Sequence, residues 1–268
     1  MFASAEGEVW HRRNLDWSAA PFELWREPHE HLLAVDGARS FVAVDEGRVV
    51  GFSAALLRGE AWFLSALFIA PDYQGVGVGR ELLARSWSDS ARRRITITDS
   101  IQPVSNGLYA SRGLIPTTPV LFLAGEPQAD GVPELVSSPA GPDALAAIDR
   151  VAYGFDRSVD HRYWFEHSES VRSWTRDGEP LGYAYVAKSG LIGPVAGIDG
   201  ASAAAVLQAE LSRRERKQTI VLIPGSARKL VATALAAGLR FARAPGLLLT
   251  SDGCPPPEAL AISGYWLF

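Results

Sequence analysis

One cysteine, Cys254, is all that this 268-residue chain contains, so no internal disulfide can brace it. Long apolar runs are also missing: none approaches the roughly 20 residues a membrane helix needs. The N-terminus Met1-Phe2-Ala3-Ser4-Ala5-Glu6-Gly7-Glu8 lacks both the basic flank and the apolar core of a secretory signal. Positive charge is not in excess. With 26 Lys and Arg against 30 Asp and Glu, the net charge of -4 argues against bulk nucleic-acid binding. The runs Arg92-Arg93-Arg94 and Arg213-Arg214-Glu215-Arg216-Lys217 then read as solvated helix ends. These absences leave a cytoplasmic protein with no membrane or nucleic-acid partner, self-association left open, and enough chain for two ordinary cores.

What is present centres on Leu67-Phe68-Ile69-Ala70-Pro71-Asp72-Tyr73-Gln74-Gly75-Val76-Gly77-Val78-Gly79-Arg80. An apolar strand runs into three alternating glycines and then into an amphipathic segment. Glycines admit close approach to the backbone, and successive N–H groups at a helix start form a cradle for a pyrophosphate. A P-loop would need Lys-Ser/Thr after the last glycine, where this chain has Arg80-Glu81. A dinucleotide fingerprint starting at Gly75 would need glycine at position 80, although Asp99 lies at a suitable distance downstream.

The pattern Gln/Arg-x-x-Gly-x-Gly/Ala is met in full by Gln74 to Gly79, and here the chain resembles the acetyl-CoA loop of the GNAT N-acetyltransferases. The surroundings extend the resemblance. Strands are expected over 41–44, 49–57 and 61–69 as an antiparallel meander, followed by a helix to about Ser90 and a strand over 95–98. The run Ser105-Asn106-Gly107-Leu108-Tyr109-Ala110-Ser111-Arg112-Gly113-Leu114 is similar to the family's later helix, with a tyrosine four residues before the closing glycine.

Pro, Gly and acidic residues interrupt the pattern over 125–133, and a domain boundary is placed there. Beyond it the order of elements repeats: strands over 171–175, 181–186 and 191–196, a helix over 201–214, a strand over 219–223 and a helix over 227–237. The glycine loop is missing from this repeat. The expected fold is therefore α+β in three layers, as two tandem GNAT-like domains. Each would be a mixed, mainly antiparallel twisted sheet flanked by helices: 1–126 binds the cofactor and 134–268 is a degenerate copy.

The resemblance implies acetyl-CoA as cosubstrate, held by Leu67, Phe68, Ile69, Gln74, Gly75, Val76, Gly77, Val78, Gly79, Arg80, Asn106 and Tyr109. A strand bulge at Leu67, Phe68 and Ile69 would present amides to the thioester oxygen, and Tyr109 would protonate the leaving thiolate. No base is evident, because Trp62-Phe63-Leu64-Ser65 occupies the strand where some relatives carry Glu. Asp99 is the first candidate, with Glu60 or an ordered water chain as alternatives. His11-Arg12-Arg13, Glu23, Glu27 and Glu30 belong to a Trp-rich N-terminal segment expected to form a short helical wall over the acceptor. His29 and His31 have no further ligand cluster for a metal. His161, Tyr163, Trp164 and His167 read as helix packing, with Trp164 beside both histidines. Two functions follow: an N-acetyltransferase acting on a small amine or peptide N-terminus by direct attack in a ternary complex, or a non-catalytic acyl-CoA-binding or docking module.

Overall fold

The structure, a computed structural model, describes residues 22–128, 134–214 and 216–268. After helix α1 (Phe22–Asp36) come the strands β1 (Ser40–Asp45), β2 (Arg48–Arg58) and β3 (Ala61–Ile69). Helix α2 (Val78–Ser86), strand β4 (Arg93–Asp99), helix α3 (Pro103–Ala110) and strand β5 (Ile115–Gly125) complete the first half. The hairpin β1–β2 turns at Glu46 and Gly47, both with positive φ, as the twist of a two-residue turn demands. Helix α2 stops at Ser86, four residues before the expected Ser90. Trp87 is already extended, and the Trp62 indole N–H caps the Ser86 carbonyl at 2.7 Å.

The second half begins with β6 (Val136–Ser138), α4 (Pro142–Ala152) and α5 (Ser158–His167). It then repeats the meander in β7 (Ser168–Arg176), β8 (Glu179–Ala187) and β9 (Leu191–Gly197). Helix α6 (Gly200–Arg213), strand β10 (Thr219–Pro224) and helix α7 (Arg228–Ala236) follow, then the short strands β11 (Arg240–Phe241), β12 (Gly246–Thr250) and β13 (Leu260–Ala261). Among the described residues no helix is long and apolar enough to cross a membrane.

All strands join one mixed sheet in the order β1-β2-β3-β4-β12-β5-β10-β9-β8-β7-β6, with β11 and β13 attached to β5 and β9. The pairs β3–β4 and β9–β10 are parallel and the other ladders antiparallel. Chain order and sheet order part company at the centre. Strand β12, from near the C-terminus, sits between β4 and β5, while β5 sits beside β10 of the second half.

Alternation along the strands separates two faces. One carries a core shared by both halves, including Leu32, Phe63, Ile97, Val120, Tyr183, Leu248 and Phe268. The opposite face carries one core under α2 and α3, with Trp62, Leu64, Leu83, Tyr109 and Leu249, and another under α6 and α7. Polar contacts brace the shared face. Asp149, fully buried, accepts from Arg157 at 2.8 and 3.0 Å, lies 2.8 Å from His161 Nε2 and accepts the Tyr183 O–H. His161 Nδ1 is 3.0 Å from the Tyr185 hydroxyl, so this histidine is held on both sides. His161 meets Trp164 edge-on, but His167 turns to Tyr163, stacking on its ring at 4.3 Å with Nδ1 2.7 Å from its carbonyl oxygen.

Candidate functional site

Strands β3 and β4 pair only from Ala61 to Leu64 against Arg93 to Thr96, and the Thr96 hydroxyl closes the vertex by donating to the Leu64 carbonyl at 3.0 Å. Beyond this point β3 follows β2 while β4 follows β12 as far as Asp99, so a gap opens. A bulge marks its start. Pairing passes from Ala55↔Leu64 to Ala54↔Ala66, leaving Ser65 as the extra residue. The expected bulge at Leu67, Phe68 and Ile69 is thus corrected to a position two residues earlier, where the β2 register slips. Leu67 and Ile69 still turn towards the gap. Ala70 donates to Val50 at 2.9 Å across the sheet, and alternation points the amides of Leu67 and Ile69 the other way. The side chain of Phe68 lies on the shared face, stacked on Phe52.

The glycine loop stands at the end of β3, beside this gap. Gly75 and Gly77 have φ of 80° and 100°, and a Cβ at either would meet nothing within 4 Å. Gly77 caps α2 with left-handed backbone, and the first helical bond runs from Glu81 N–H to Gly77 carbonyl. The amides of residues 75–80 meet no acceptor among the described residues, as the first turn of a helix leaves them. Gln74 turns back to donate to the Ile69 carbonyl at 3.1 Å, while Val76 and Arg80 are exposed. Gly79 fits between Ile69 and Leu108, 3.5 and 3.7 Å from where its Cβ would be, which seats α3 against the cradle.

On α3, Asn106 holds a buried side-chain oxygen that meets no donor among the described residues. Tyr109 is 5% exposed in the core under α2 and α3, and its burial pushes the hydroxyl well above its ordinary pKa. Open cradle, unspent amides and orphaned Asn106 oxygen together fit a pyrophosphate-bearing cofactor with an amide-containing arm. Asp99 closes β4 opposite Gly246, so its side chain lies on the shared face, across the sheet from Tyr109. Glu60 is excluded from the gap. It precedes β3 at the far end from the loop and pairs with Arg92 at 3.1 Å in solvent.

Other candidates are distributed as their partners dictate. His29 packs 4.6 Å from Trp266, whereas His31 bonds Asp160 at 2.9 Å. No metal-holding group of three His, Cys, Asp or Glu gathers among the described residues. Glu27 and Glu30 are exposed on α1, which is a fifteen-residue helix, longer than the short wall expected. Residues 1–21, including His11, Arg12 and Arg13, lie outside the described residues, and so does the side chain of Glu23.

The second half has the same divergence with its space filled. Parallel β9 and β10 pair only at Leu191↔Ile220 and Ile192↔Val221. Farther along, β13 pairs with Val195 and Ala196 of β9, and Ile262 donates to Leu222 of β10 at 2.9 Å. Asp199 caps α6 by accepting from the amides of Ala201 and Ser202, so a carboxylate occupies the helix start that the first half leaves open. The same C-terminal tail then crosses the shared face to the first gap. Ser65 donates to the Trp266 carbonyl at 2.6 Å, the Tyr265 hydroxyl covers Gly246, and Phe268 stacks on Phe63 at 5.4 Å. Sequence reasoning missed Ser65, Gly246, Tyr265 and Trp266, since Ser65 and Trp266 are 201 residues apart and no local pattern links them.

Residues 36–113 match the family described as acetyltransferase (GNAT) domain. No curated protein matches the chain. Among solved structures, a candidate acetyltransferase from Pyrococcus horikoshii is similar with a TM-score of 0.76 at 17% identity, over 93% of this chain and 87% of that one. A GCN5-related N-acetyltransferase from Sphaerobacter thermophilus is similar at 0.55 and 17% identity, over 85% and 86%. A tandem GNAT protein from the clavulanic acid biosynthesis pathway gives 0.51 and 16%, over 85% and 88%. The matched region contains the glycine loop and is an acetyltransferase (GNAT) domain by its likeness, and the chain as a whole shares its fold with these structures.

Proposed function

We propose that this chain is an acetyl-CoA-dependent N-acetyltransferase with one active site, in the gap between β3 and β4, acting on a primary amine by direct attack. We further propose two GNAT-like units, 1–126 and 134–268, of which only the first binds the cofactor. The observation that carries this reading is the contrast between the two helix starts. In the first half the loop amides are open beside an open gap; in the second, Asp199 and β13 fill the equivalent places.

Bound acetyl-CoA would supply the activated acetyl group. The amides of residues 75–80 would hold its pyrophosphate, and the buried Asn106 oxygen would accept from its arm. The amides facing the gap at Leu67 and Ile69 would donate to the carbonyl oxygen as it gains negative charge. Tyr109 stays protonated at neutral pH and is suited to give its proton to the departing sulfur. Asp99, on the opposite face, would take the proton that the attacking nitrogen must lose. An acid and a base on opposite faces suit a transfer in which the amine enters from one side and the thiol leaves on the other.

Calorimetry with acetyl-CoA, followed by thiol release across a panel of amines, tests the proposal. One site per chain and amine-dependent release are expected. Binding without release across the panel would leave the acyl-CoA-binding module as the reading, and absence of binding would sink both.

A further inference from the structure

The Tyr265 hydroxyl is buried with no hydrogen-bond partner among the described residues. A buried, unspent hydroxyl costs stability unless something meets it. A methyl group on Gly246 would clash with the hydroxyl oxygen and lie 2.8 Å from the ring carbon that bears it. Gly246 pairs with Asp99 across the β4–β12 ladder, and directly opposed residues share a sheet face. The hydroxyl and the Asp99 carboxylate therefore stand on one face at the end of β4. The ring is fixed edge-on against Phe122 at 6.4 Å, with the Arg243 guanidinium over Phe122 at 3.3 Å. The next residue ties the tail to the other side of the gap through the bond from Ser65 to the Trp266 carbonyl.

We propose that Tyr265 binds the acceptor amine: its hydroxyl, admitted by the absence of a side chain at Gly246, holds the nitrogen beside Asp99 at the mouth of the gap. The proposal rests on the acetyltransferase reading and adds the group that receives the acceptor. Burial, with the Asp99 charge, outweighs the charge and close approach of the Arg243 guanidinium, which stands outside good hydrogen-bond geometry, and pushes the hydroxyl up to about 12, so it is protonated at neutral pH and serves as a hydrogen-bonding group, not as the base. Its oxygen accepts an N–H from the amine and leaves the nitrogen lone pair free for attack. The new bond joins that nitrogen to the acetyl carbon while the carbon–sulfur bond breaks. The proton lost by nitrogen goes to Asp99, and Tyr109 supplies one to sulfur. The second half of the chain thereby contributes directly to a site whose cofactor loop lies in the first.

The test compares wild type, Tyr265→Phe and Gly246→Ala with acetyl-CoA and four amines: tyramine, spermidine, glucosamine and a short peptide with a free N-terminus. For the amine turned over fastest, Tyr265→Phe should raise the acceptor KM about tenfold, the worth of one hydrogen bond. The acetyl-CoA Kd and the melting temperature should stay near wild type. Gly246→Ala, which displaces the hydroxyl but keeps the tyrosine, should raise the same KM, and the double variant should add little to the larger single effect. Unchanged acceptor kinetics in Tyr265→Phe, with an active wild type, would overturn this assignment and leave the acetyltransferase reading intact. A rise in KM accompanied by equal weakening of acetyl-CoA binding would assign Tyr265 a structural role and also overturn it. A wild type that releases no thiol with any of the four amines overturns both.

Discussion

The Asp160 carboxylate on α5 receives the Arg58 guanidinium side-on, at 2.8 Å from Nε and 2.7 Å from Nη2, although the two residues stand in different halves of the chain. Arg58 also donates to Asp36 at 2.8 Å, and His31 completes the Asp160 shell at 2.9 Å. All three charged side chains of this Asp–Arg–Asp bridge are buried. Removing Arg58 would leave buried Asp160 with only His31 and buried Asp36 with only the Leu57 amide and Arg39 at 3.8 Å, so Arg58→Ala should destabilise the fold by about 3–5 kcal/mol in denaturant melts. A loss below about 1 kcal/mol, the size of a surface pair, would contradict this placement.

The same bridge sets an acid limit. Burial opposes ionisation of Asp160, but hydrogen bonds from Arg58 and His31 and the Arg58 charge outweigh it and hold the carboxyl at about 2 instead of 3.8. Its folded value is depressed, so its contribution is fully present above the unfolded value and lost as pH falls from about 4 towards 2. Thermal melts of wild type and Asp160→Asn should therefore converge across that window. A stability gap that stayed constant from pH 5 to pH 2 would refute the assignment.

Gly77 stands at the start of helix α2, in the middle of the glycine loop. A Val there would face strained left-handed backbone at φ 100° and would fill the space left for the pyrophosphate. Acetyl-CoA binding should be abolished in calorimetry while the melting temperature falls only modestly. Two sites in the wild type, or unaltered affinity in Gly77→Val, would remove the basis of the cofactor assignment.

For Tyr109→Phe a fall in kcat of about ten- to a thousandfold is expected, the range for losing a general acid, with acetyl-CoA affinity nearly unchanged. The ring packs beside Trp62, Leu83 and Leu249, and phenylalanine keeps that packing. Should kcat hold while the KM for acetyl-CoA rises, the tyrosine is a binding residue and the acid must be another group.

The central exchange of β5 and β12 predicts one cooperative unit. A fragment ending at residue 126 loses β12 and exposes facing edges of β4 and β5, and a fragment starting at 134 leaves β10 without β5. The whole chain should unfold in a single calorimetric transition, with neither fragment folding alone. Two separable transitions would show that the halves are independent despite the shared sheet.

Local structure was legible because local signals fix it. The apolar runs over 41–44, 49–57 and 61–69 marked the first meander, and the spacing of Gln74, Gly75, Gly77 and Gly79 marked the glycine loop. The recurrence of the same order of elements over 171–237 made the repeat visible, and the tyrosine-to-glycine spacing put Tyr109 on its helix. Pairing partners were not legible. The sequence of β12 is apolar enough for any buried strand, and its place between β4 and β5 follows from which edges remain open once the halves meet. Likewise Ser65 reads as one small residue in a strand; only the β2 register makes it a bulge, and only the returning tail gives it Trp266 as a partner. The chain by itself determined a glycine loop after a strand, two similar halves and the absence of that loop from the second. Tertiary structure decided that the second gap is closed by β13 and that Tyr265 reaches the first, because contacts across some two hundred residues depend on packing of the whole sheet and leave no periodic trace in the sequence.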